Sequence, residues 1–252
     1  MVSDVHGRAD ALATAGDGAD ALICLGDLIL FIDYDDHGQG IFADLFGAER
    51  AGEFIALRTA KRFDEARAMS AKLWASLDGD PRDHIERHVR AQYAELFTAM
   101  PAPTLPDLRQ RGRAPPGRRL PQARPPGARR GDGGDRRAAL RLRRRRAQDR
   151  LPHPPNEISD EEFAAKVEAV GEVDVLCCHI PPAVPELLYD VVARRFERGS
   201  EATLELIRRT QPRYALFGHV HQPLHRRTRI GRTECVNVGH FRGRGVPYVL
   251  EW

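Results

Sequence analysis

Four short blocks of aspartate and histidine constrain the fold of this chain more than any other feature. Each block lies where an apolar, strand-like segment would end. The six potential metal ligands in these blocks are Asp4, His6, Asp27, His179, His219 and His221. Residues two apart on an extended segment point to the same side, so the first pair and the last pair can each present two side chains to one place. Because carboxylates mixed with imidazoles suit divalent first-row metals, the pattern predicts a hydrolase with two metal ions and a bridging carboxylate.

Strand-like and helix-like segments alternate along the chain before a strand-rich end. Apolar or mixed strand-like runs predict strands at 21–25, 173–178, 214–217, 232–238 and 246–250. Periodicity and capping patterns predict helices at 8–15, along two stripes at 66–77 and 85–97, from 159 to about 170, and at 185–196 and 201–209. The second stripe follows Asp80-Pro81, a helix-start signal. This order predicts one layered α/β domain over residues 1–252.

The chain carries no pattern of a membrane or secreted protein. No apolar run approaches the roughly 20 residues of a membrane span, and the N-terminus has neither the basic start nor the apolar stretch of a signal peptide. The four cysteines, Cys24, Cys177, Cys178 and Cys235, lie in apolar, strand-like contexts. They are predicted to be buried thiols of a reducing compartment, so we expect a cytoplasmic protein with no membrane partner.

A central segment, residues 106–153, differs sharply from the rest of the chain. It contains 16 Arg and 4 Asp, with no Ile, Val, Phe, Tyr, Trp or Lys. The chain as a whole has a formal charge of only +3, so the remainder is net acidic. Since the segment lacks apolar periodicity and bulky side chains, it is predicted to be disordered or poorly packed.

In order and spacing, the four blocks resemble those of the calcineurin-like metallophosphoesterases. The family pattern is D-x-H, then G-D, then G-N-H or G-N-x-D, then an isolated His after a strand, then G-H-x-H. The blocks here read Asp4-Val5-His6, Gly26-Asp27, His179 and Gly218-His219-Val220-His221. The last block is the most specific, because it follows the three other blocks in the order and spacing of the family pattern. The resemblance covers about residues 1–105 and 154–252.

The resemblance implies an α/β/β/α sandwich that hydrolyses a phosphomonoester or a phosphodiester with two divalent ions, such as Mn, Fe or Zn. By that likeness Asp4, His6 and His221 would hold one ion, His179 and His219 would hold the other, and Asp27 would bridge both. The segment Asn237-Val238-Gly239 is similar to a family turn near the site, and its predicted role is structural.

Two features depart from the family pattern. The G-N-H or G-N-x-D block, expected shortly after Leu105, is absent; neither of the two asparagines, Asn156 and Asn237, follows a Gly. In the family this block supplies a metal ligand and the catalytic acid, so the acid is unknown here. We therefore expect weak binding of the second ion and slow or absent turnover. Only three residues precede Asp4, which indicates a start placed too late for the opening strand.

Several alternatives stay open at this stage. The Arg-rich segment is either the product of a double frameshift in a GC-rich gene or a genuine insert. The chain could instead be a degenerate, catalytically impaired phosphoesterase, or it could bind nucleic acid through the arginines of 141–146.

Of the other polar residues, Asp33, Asp35 and Asp36 are predicted to form a solvated acidic loop. Arg226, Arg227 and Arg229 are predicted to form a solvated strand face, and His37, His225 and His240 to lie at the surface or behind the ligands.

Resequencing the gene from before Leu105 to after Asn156 tests the frameshift hypothesis. Arg, Pro, Gly and Ala have codons that begin with two G or C bases, so an out-of-frame reading of GC-rich DNA yields this mixture. We expect a compensating pair of single-base changes and a Gly-Asn-containing block in the restored frame. A clean read of the Arg-rich codons would instead establish a genuine insert and favour the degenerate enzyme.

Overall fold

The described part of the chain is a mixed α/β structure. The computed structural model describes residues 1–101, 104–105 and 160–251. The helices are α1 (Ala9–Leu12), α2 (Ile41–Phe46), α3 (Ala48–Thr59), α4 (Phe63–Ala75), α5 (Pro81–Ala99), α6 (Asp160–Glu168), α7 (Pro185–Leu188), α8 (Glu201–Thr210) and α9 (Phe241–Arg244). The strands are β1 (Leu22–Ile23), β2 (Thr104–Leu105), β3 (Val175–Cys177), β4 (Tyr189–Asp190), β5 (Arg195–Phe196), β6 (Tyr214–Phe217), β7 (Arg227–Ile230) and β8 (Thr233–Asn237).

Parallel strands from two sheets lead into the ligand blocks. The larger sheet has the order β3-β6-β8-β7, with β7 antiparallel and the other strands parallel. In the smaller sheet β1 pairs in parallel with β2, and Val2 forms a parallel bridge to Cys24 on the other side. The carboxyl ends of parallel strands are where loops of α/β proteins carry binding sites. Here those ends precede Asp4, Asp27, His179 and His219.

One apolar cluster joins the two sheets. Along β3, Val175 and Cys177 belong to this cluster, whereas Leu176 belongs to a different one. This alternation follows from the two-residue period of a strand. The joining cluster also contains Leu25 and Leu216, with Met1 and Ile23 packed against it. The larger sheet therefore buries one face against the strands of the smaller sheet.

Helices cover the outward faces of both sheets. Leu176, Ala215 and Phe217 share a cluster with α6 and α8, to which α8 contributes Leu206 and Ile207. On the other side, Val2, Leu22 and Cys24 share a cluster with residues of α1 and α5. Strands buried on both faces read as continuous apolar runs, as 175–178 does, whereas Asp174 just before it is exposed.

Most of the strong sequence patterns are confirmed. Strands form within 173–178 and 232–238, β6 covers the whole of 214–217, and α8 occupies the predicted 201–209. Helix α5 begins after Asp80, whose carboxylate accepts a hydrogen bond from the backbone N–H of Arg82 at 2.8 Å.

All four cysteines are buried and free, and burial raises the pKa of Cys177 to about 12. In the described ranges no helix has the length and apolar character needed to cross a bilayer.

Two predicted elements are wrong. Residues 185–196 are not one helix: α7 ends at Leu188, and β4 and β5 form an antiparallel hairpin. The Asp190 carboxylate accepts hydrogen bonds from the backbone N–H groups of Val192 and Ala193, which stabilises a turn instead of a helix. Residues 246–250 form no strand, although Tyr248 exchanges two backbone hydrogen bonds with Met1. The predictions for 106–153 and for a cap at Ser159 lie outside the described residues.

Replacing a buried apolar side chain of α8 tests the packing of helix on sheet. Ile207 is fully buried, so Ile207→Ala is expected to lower the free energy of unfolding by about 2–5 kcal/mol, measured by urea denaturation. Val192 is 75% exposed in the hairpin turn, and Val192→Ala is the matched control, expected within about 0.5 kcal/mol of the parent. Equal effects of the two variants would contradict the packing described here.

Candidate metal centre

All six sequence-predicted ligands converge on one place, together with a seventh residue, His240. Three groups have potential ligand atoms within 4.8 Å of one another. These groups are Asp27/His179/His219, Asp4/His6/Asp27 and His6/His221/His240. Asp27 is shared by the first two groups and His6 by the last two. The groups therefore form a continuous chain, with histidines at both ends and carboxylates between them.

The distances between these side chains are those of a polar cluster in direct contact. His179 Nε2 lies 3.1 Å from Asp27 Oδ2, and His221 Nε2 lies 3.5 Å from Asp4 Oδ1. His6 Nε2 and His221 Nε2 are 3.4 Å apart. His6 Nδ1 lies 3.3 Å from the carbonyl oxygen of Ile29, which can only accept. A proton on Nδ1 leaves the Nε2 lone pair directed at the cluster, as a metal ligand requires.

Four of the six predicted ligands have a left-handed backbone. In the described part of the chain seven non-glycine residues have positive φ, and they include Asp4 (55°), His6 (42°), Asp27 (47°) and His219 (71°). This conformation is unfavourable for residues with a Cβ. It persists where surrounding contacts over-determine it, and such residues cluster at functional sites.

Two glycines let the ligands approach each other closely. A Cβ on Gly218 would meet Ser3 Oγ and lie 2.5 Å from Asp4 Oδ2. A Cβ on Gly26 would lie 3.0 Å from His179 Nδ1, and Gly26 also has a φ of 137°. The glycine before Asp27 and the glycine before His219 are therefore required by close contacts across the site.

Asp4 is a buried carboxylate that suits a cation. It is 1% exposed, and its Oδ2 accepts a hydrogen bond from the backbone N–H of His219 at 3.0 Å. Oδ1 has no well-formed hydrogen bond from the described residues, since His221 Nε2 at 3.5 Å is at the outer limit. Burial raises the pKa of Asp4, but the interaction with His221 and the charge of His179 outweigh it and hold the pKa below its usual range. An ionised, incompletely bonded oxygen among imidazoles fits a divalent metal.

Helix α9 clamps the first ligand loop from behind. The backbone N–H groups of Phe241 and Arg242 donate to the carbonyls of Ser3 and Asp4, each at 3.0 Å. The Arg242 guanidinium donates to the carbonyl of His6 at 2.6 Å and pairs with Asp33. These bonds fix the backbone on which the left-handed residues of the loop lie.

The prediction of a solvated acidic loop is wrong for Asp33. This residue is 6% exposed, and its carboxylate accepts hydrogen bonds from the backbone N–H groups of Asp35 and Asp36 at 2.9 and 3.2 Å. It also holds Arg242. Asp35 and Asp36 are exposed as expected.

Asn237 has the structural role that the sequence predicted. Its side-chain N–H group donates to the carbonyls of Gly218 and Val220 at 3.2 and 2.9 Å, and its Oδ1 accepts from the backbone N–H of Gly239. The residue therefore ties the end of β8 to the loop that carries His219 and His221.

His240 is the site residue that sequence reasoning did not find. The sequence predicts it, with His37 and His225, at the surface or behind the ligands and not among them. His37 and His225 are exposed, whereas Nε2 of His240 is buried beside His221. The two rings are parallel, with centroids 3.8 Å apart. Burial, followed by the neighbouring charge of His221, lowers the pKa of His240 to about 4. Its position just after parallel strand β8, like that of His179 after β3, was the available signal.

Comparisons with known proteins do not assign a family. No protein-family model matches the chain, and no curated protein is similar to it. One solved crystal structure is similar over 95% of this chain and 89% of its own, at 13% identity and a TM-score of 0.40. A likeness that weak carries no argument about fold or function.

Replacing Asp33 tests the clamp behind the ligand loop. Burial raises the pKa of Asp33, but the two backbone N–H groups and Arg242 hold it below the ordinary 3.8. A lowered folded-state pKa gives stability that is present above the unfolded value and lost as pH falls through the folded value. Asp33→Asn is therefore expected to cost about 1–3 kcal/mol of unfolding free energy at pH 7, with a smaller difference below about pH 4.

The control for this experiment is Asp35→Asn, which changes an exposed carboxylate in the same loop. It is expected to leave stability unchanged across that pH range. A loss in Asp33→Asn that is the same at pH 7 and pH 3 would contradict an ionised Asp33 in the clamp.

Proposed function

We propose that this chain is a metal-dependent phosphoesterase of the calcineurin-like type, which hydrolyses a phosphomonoester or a phosphodiester. One observation carries the proposal: the three ligand groups are contiguous, and Asp27 belongs both to the group with His179 and His219 and to the group with Asp4 and His6. A carboxylate shared between two sets of ligands is what a bridged pair of ions requires.

We further propose the α/β/β/α sandwich as the fold. The support is the order of the apolar clusters, with α6 and α8 on one sheet, a shared cluster between the sheets, and α1 and α5 on the other side. In this arrangement the ligand-bearing loops of both sheets meet at one edge, as the proposed centre requires.

Each ion has its own set of ligands in this proposal. Asp4, His6 and His221 would hold one divalent ion, His179 and His219 would hold the other, and Asp27 would be the ligand shared by both. Mixed oxygen and imidazole donors admit Mn, Fe or Zn. When bound, two such ions supply Lewis acidity toward a phosphoryl oxygen and lower the pKa of a bound water.

The protein's own residues position these ligands and attract the substrate. The left-handed backbone at four ligands, the close approaches at Gly26 and Gly218, and the clamp from α9 fix the ligand atoms before any ion binds. Such preorganisation lowers the cost of assembling the site. Arg226, Arg227 and Arg229 lie at the exposed surface of β7 and its preceding loop. The Arg226 guanidinium lies beside Gly239, next to His240, so this cation is suited to steer a phosphate ester toward the centre, whereas Arg227 is paired with Glu234.

The block that carries the catalytic acid in the resembled family is absent from this chain, which lowers the expected rate. The family carries its acid on the block after the strand equivalent to β2. Strand β2 pairs in parallel with β1 and ends at Leu105, so its carboxyl end faces the same edge as Gly26-Asp27. The Arg-rich segment begins there in sequence. Loss of one general acid costs on the order of 10²–10⁴-fold in rate, so turnover of this chain is expected to be slow.

Metal content is the first test of the proposal. Purified parent protein is expected to bind Mn, Fe or Zn, and Asp27→Ala is expected to lose most of it, because both ions lose a shared ligand. Asp36→Ala is the matched control in an exposed position and is expected to keep the parent content. Metal absent from the parent, or unchanged in Asp27→Ala, would overturn the proposal.

Hydrolysis is the second readout of the same variants. With added Mn, the parent is expected to cleave p-nitrophenyl phosphate or its bis-phosphodiester analogue, slowly, and Asp27→Ala is expected not to. Metal binding without hydrolysis of either substrate would identify a catalytically impaired phosphoesterase. Salt-dependent nucleic-acid binding that disappears on deletion of 106–153, with neither metal nor hydrolysis, would identify a nucleic-acid binder.

A further inference from the structure

His240 lies at the meeting point of β8 and α9. It follows the Asn237-Val238-Gly239 turn and precedes the first residue of α9. A Cβ on Gly243 would lie 3.1 Å from His240 Nδ1, so the Nδ1 edge of the ring faces this glycine of α9. Nε2 is separated from Nδ1 by Cε1 alone, and the ring packs against both His6 and His221.

The position of Nε2 is unusual for a histidine without a role. Nε2 is buried and has no hydrogen-bond partner among the described residues. Leaving a buried polar atom without a partner costs about 1–3 kcal/mol, so such atoms call for an explanation. The ligand atoms of His6, His221 and His240 lie within 4.8 Å of one another, a spacing that one ion can bring into its coordination sphere.

We propose that His240 is an additional imidazole ligand of the ion held by Asp4, His6 and His221, so that this position is a three-histidine site. The inference rests on the proposed two-metal function and extends its ligand set. The G-N-H and G-H-x-H blocks do not include this residue, and the resemblance gave no ligand at this position.

Because the rings of His221 and His240 are stacked, one of them must rotate before both can bind the same ion. A nitrogen lone pair lies in the plane of its ring, and the two rings are parallel. Coordination of a single ion by both nitrogens therefore requires one ring to turn out of the stack. No hydrogen bond at Nε2 from the described residues opposes a turn of the His240 ring. Gly243 leaves space beside Nδ1, because it has no side chain.

A third imidazole changes which metal the position prefers. Carboxylate-rich sites suit Mg and Mn, whereas imidazole-rich sites suit Zn, Fe and Ni. With His240 the position has three nitrogen donors and the carboxylate of Asp4, in addition to the shared Asp27. It is therefore expected to select Zn over Mn, and this preference depends on His240.

Titration of metal-free protein with Co(II), followed by its visible absorption, tests the proposal, with Zn and Mn as competitors. His240→Phe keeps an aromatic ring for the stack but has no nitrogen, and His240→Gln keeps a polar side chain without the imidazole. Both are expected to bind the first Co(II) at least about tenfold more weakly, since loss of even an outer-shell partner of a metal ligand costs about 10–100-fold. The preference for Zn over Mn is expected to decrease in both.

The control is His225→Phe, which removes an exposed histidine from the loop after His221. It is expected to bind Co(II) like the parent, and the metal-free melting temperatures of all variants verify folding. Parent-like affinity and absorption in His240→Phe would overturn the proposal and leave His240 as a stacking partner of His221. Absence of Co(II) binding by the parent would overturn the proposed function itself, so the two failures are distinguishable.

Discussion

The burial of the ionised Asp4 carboxylate is the constraint on which the rest of the centre depends. The Oδ2 atom accepts a hydrogen bond from the backbone N–H of His219, in the loop after β6. The backbone carbonyl of Asp4 accepts a hydrogen bond from the backbone N–H of Arg242 in α9. Three segments far apart in sequence are thus joined at one residue. Gly218 has no side chain because Ser3 and Asp4 occupy that space. A buried charge is costly unless it is paired, which explains why histidines surround this carboxylate.

Strain and rigidity are linked in this centre. The left-handed conformations at Asp4, His6, Asp27 and His219 each cost free energy. The first two ligand loops bond to each other, with Asp4 N–H donating to the Gly26 carbonyl and His6 N–H to the Asp27 carbonyl, and α9 adds the bonds described above. Arg242 and Asp33 also stabilise this backbone. The Arg242 guanidinium donates to the carbonyl oxygen of His6, and Asp33 pairs with that guanidinium. A loop fixed in this way offers its side chains at defined positions, which favours binding of an ion over local rearrangement.

The two sheets differ in how completely they are built around the centre. The larger sheet brings His179, His219 and His240 to its edge through three adjacent parallel strands. In the described part of the smaller sheet, the strands beside Asp4 and Asp27 are short, and β2 has two residues. In sequence, the Arg-rich segment begins directly after β2.

The sequence by itself determined the elements with strong local signals. The apolar runs at β3 and β6, the Asp80 cap of α5 and the amphipathic pattern of α8 depend on neighbouring residues only, and the spacing of six ligands at strand ends indicated their convergence. Tertiary structure decided what depends on distant partners. Asp33 is buried because Arg242, 209 residues later, reaches it. His240 joins the cluster because β8 lies beside β6, and the 185–196 helix is lost because Asp190 bonds its own turn and Gln222. Periodicity reports which face of an element is apolar, whereas burial of a polar side chain depends on contacts that only the folded chain creates.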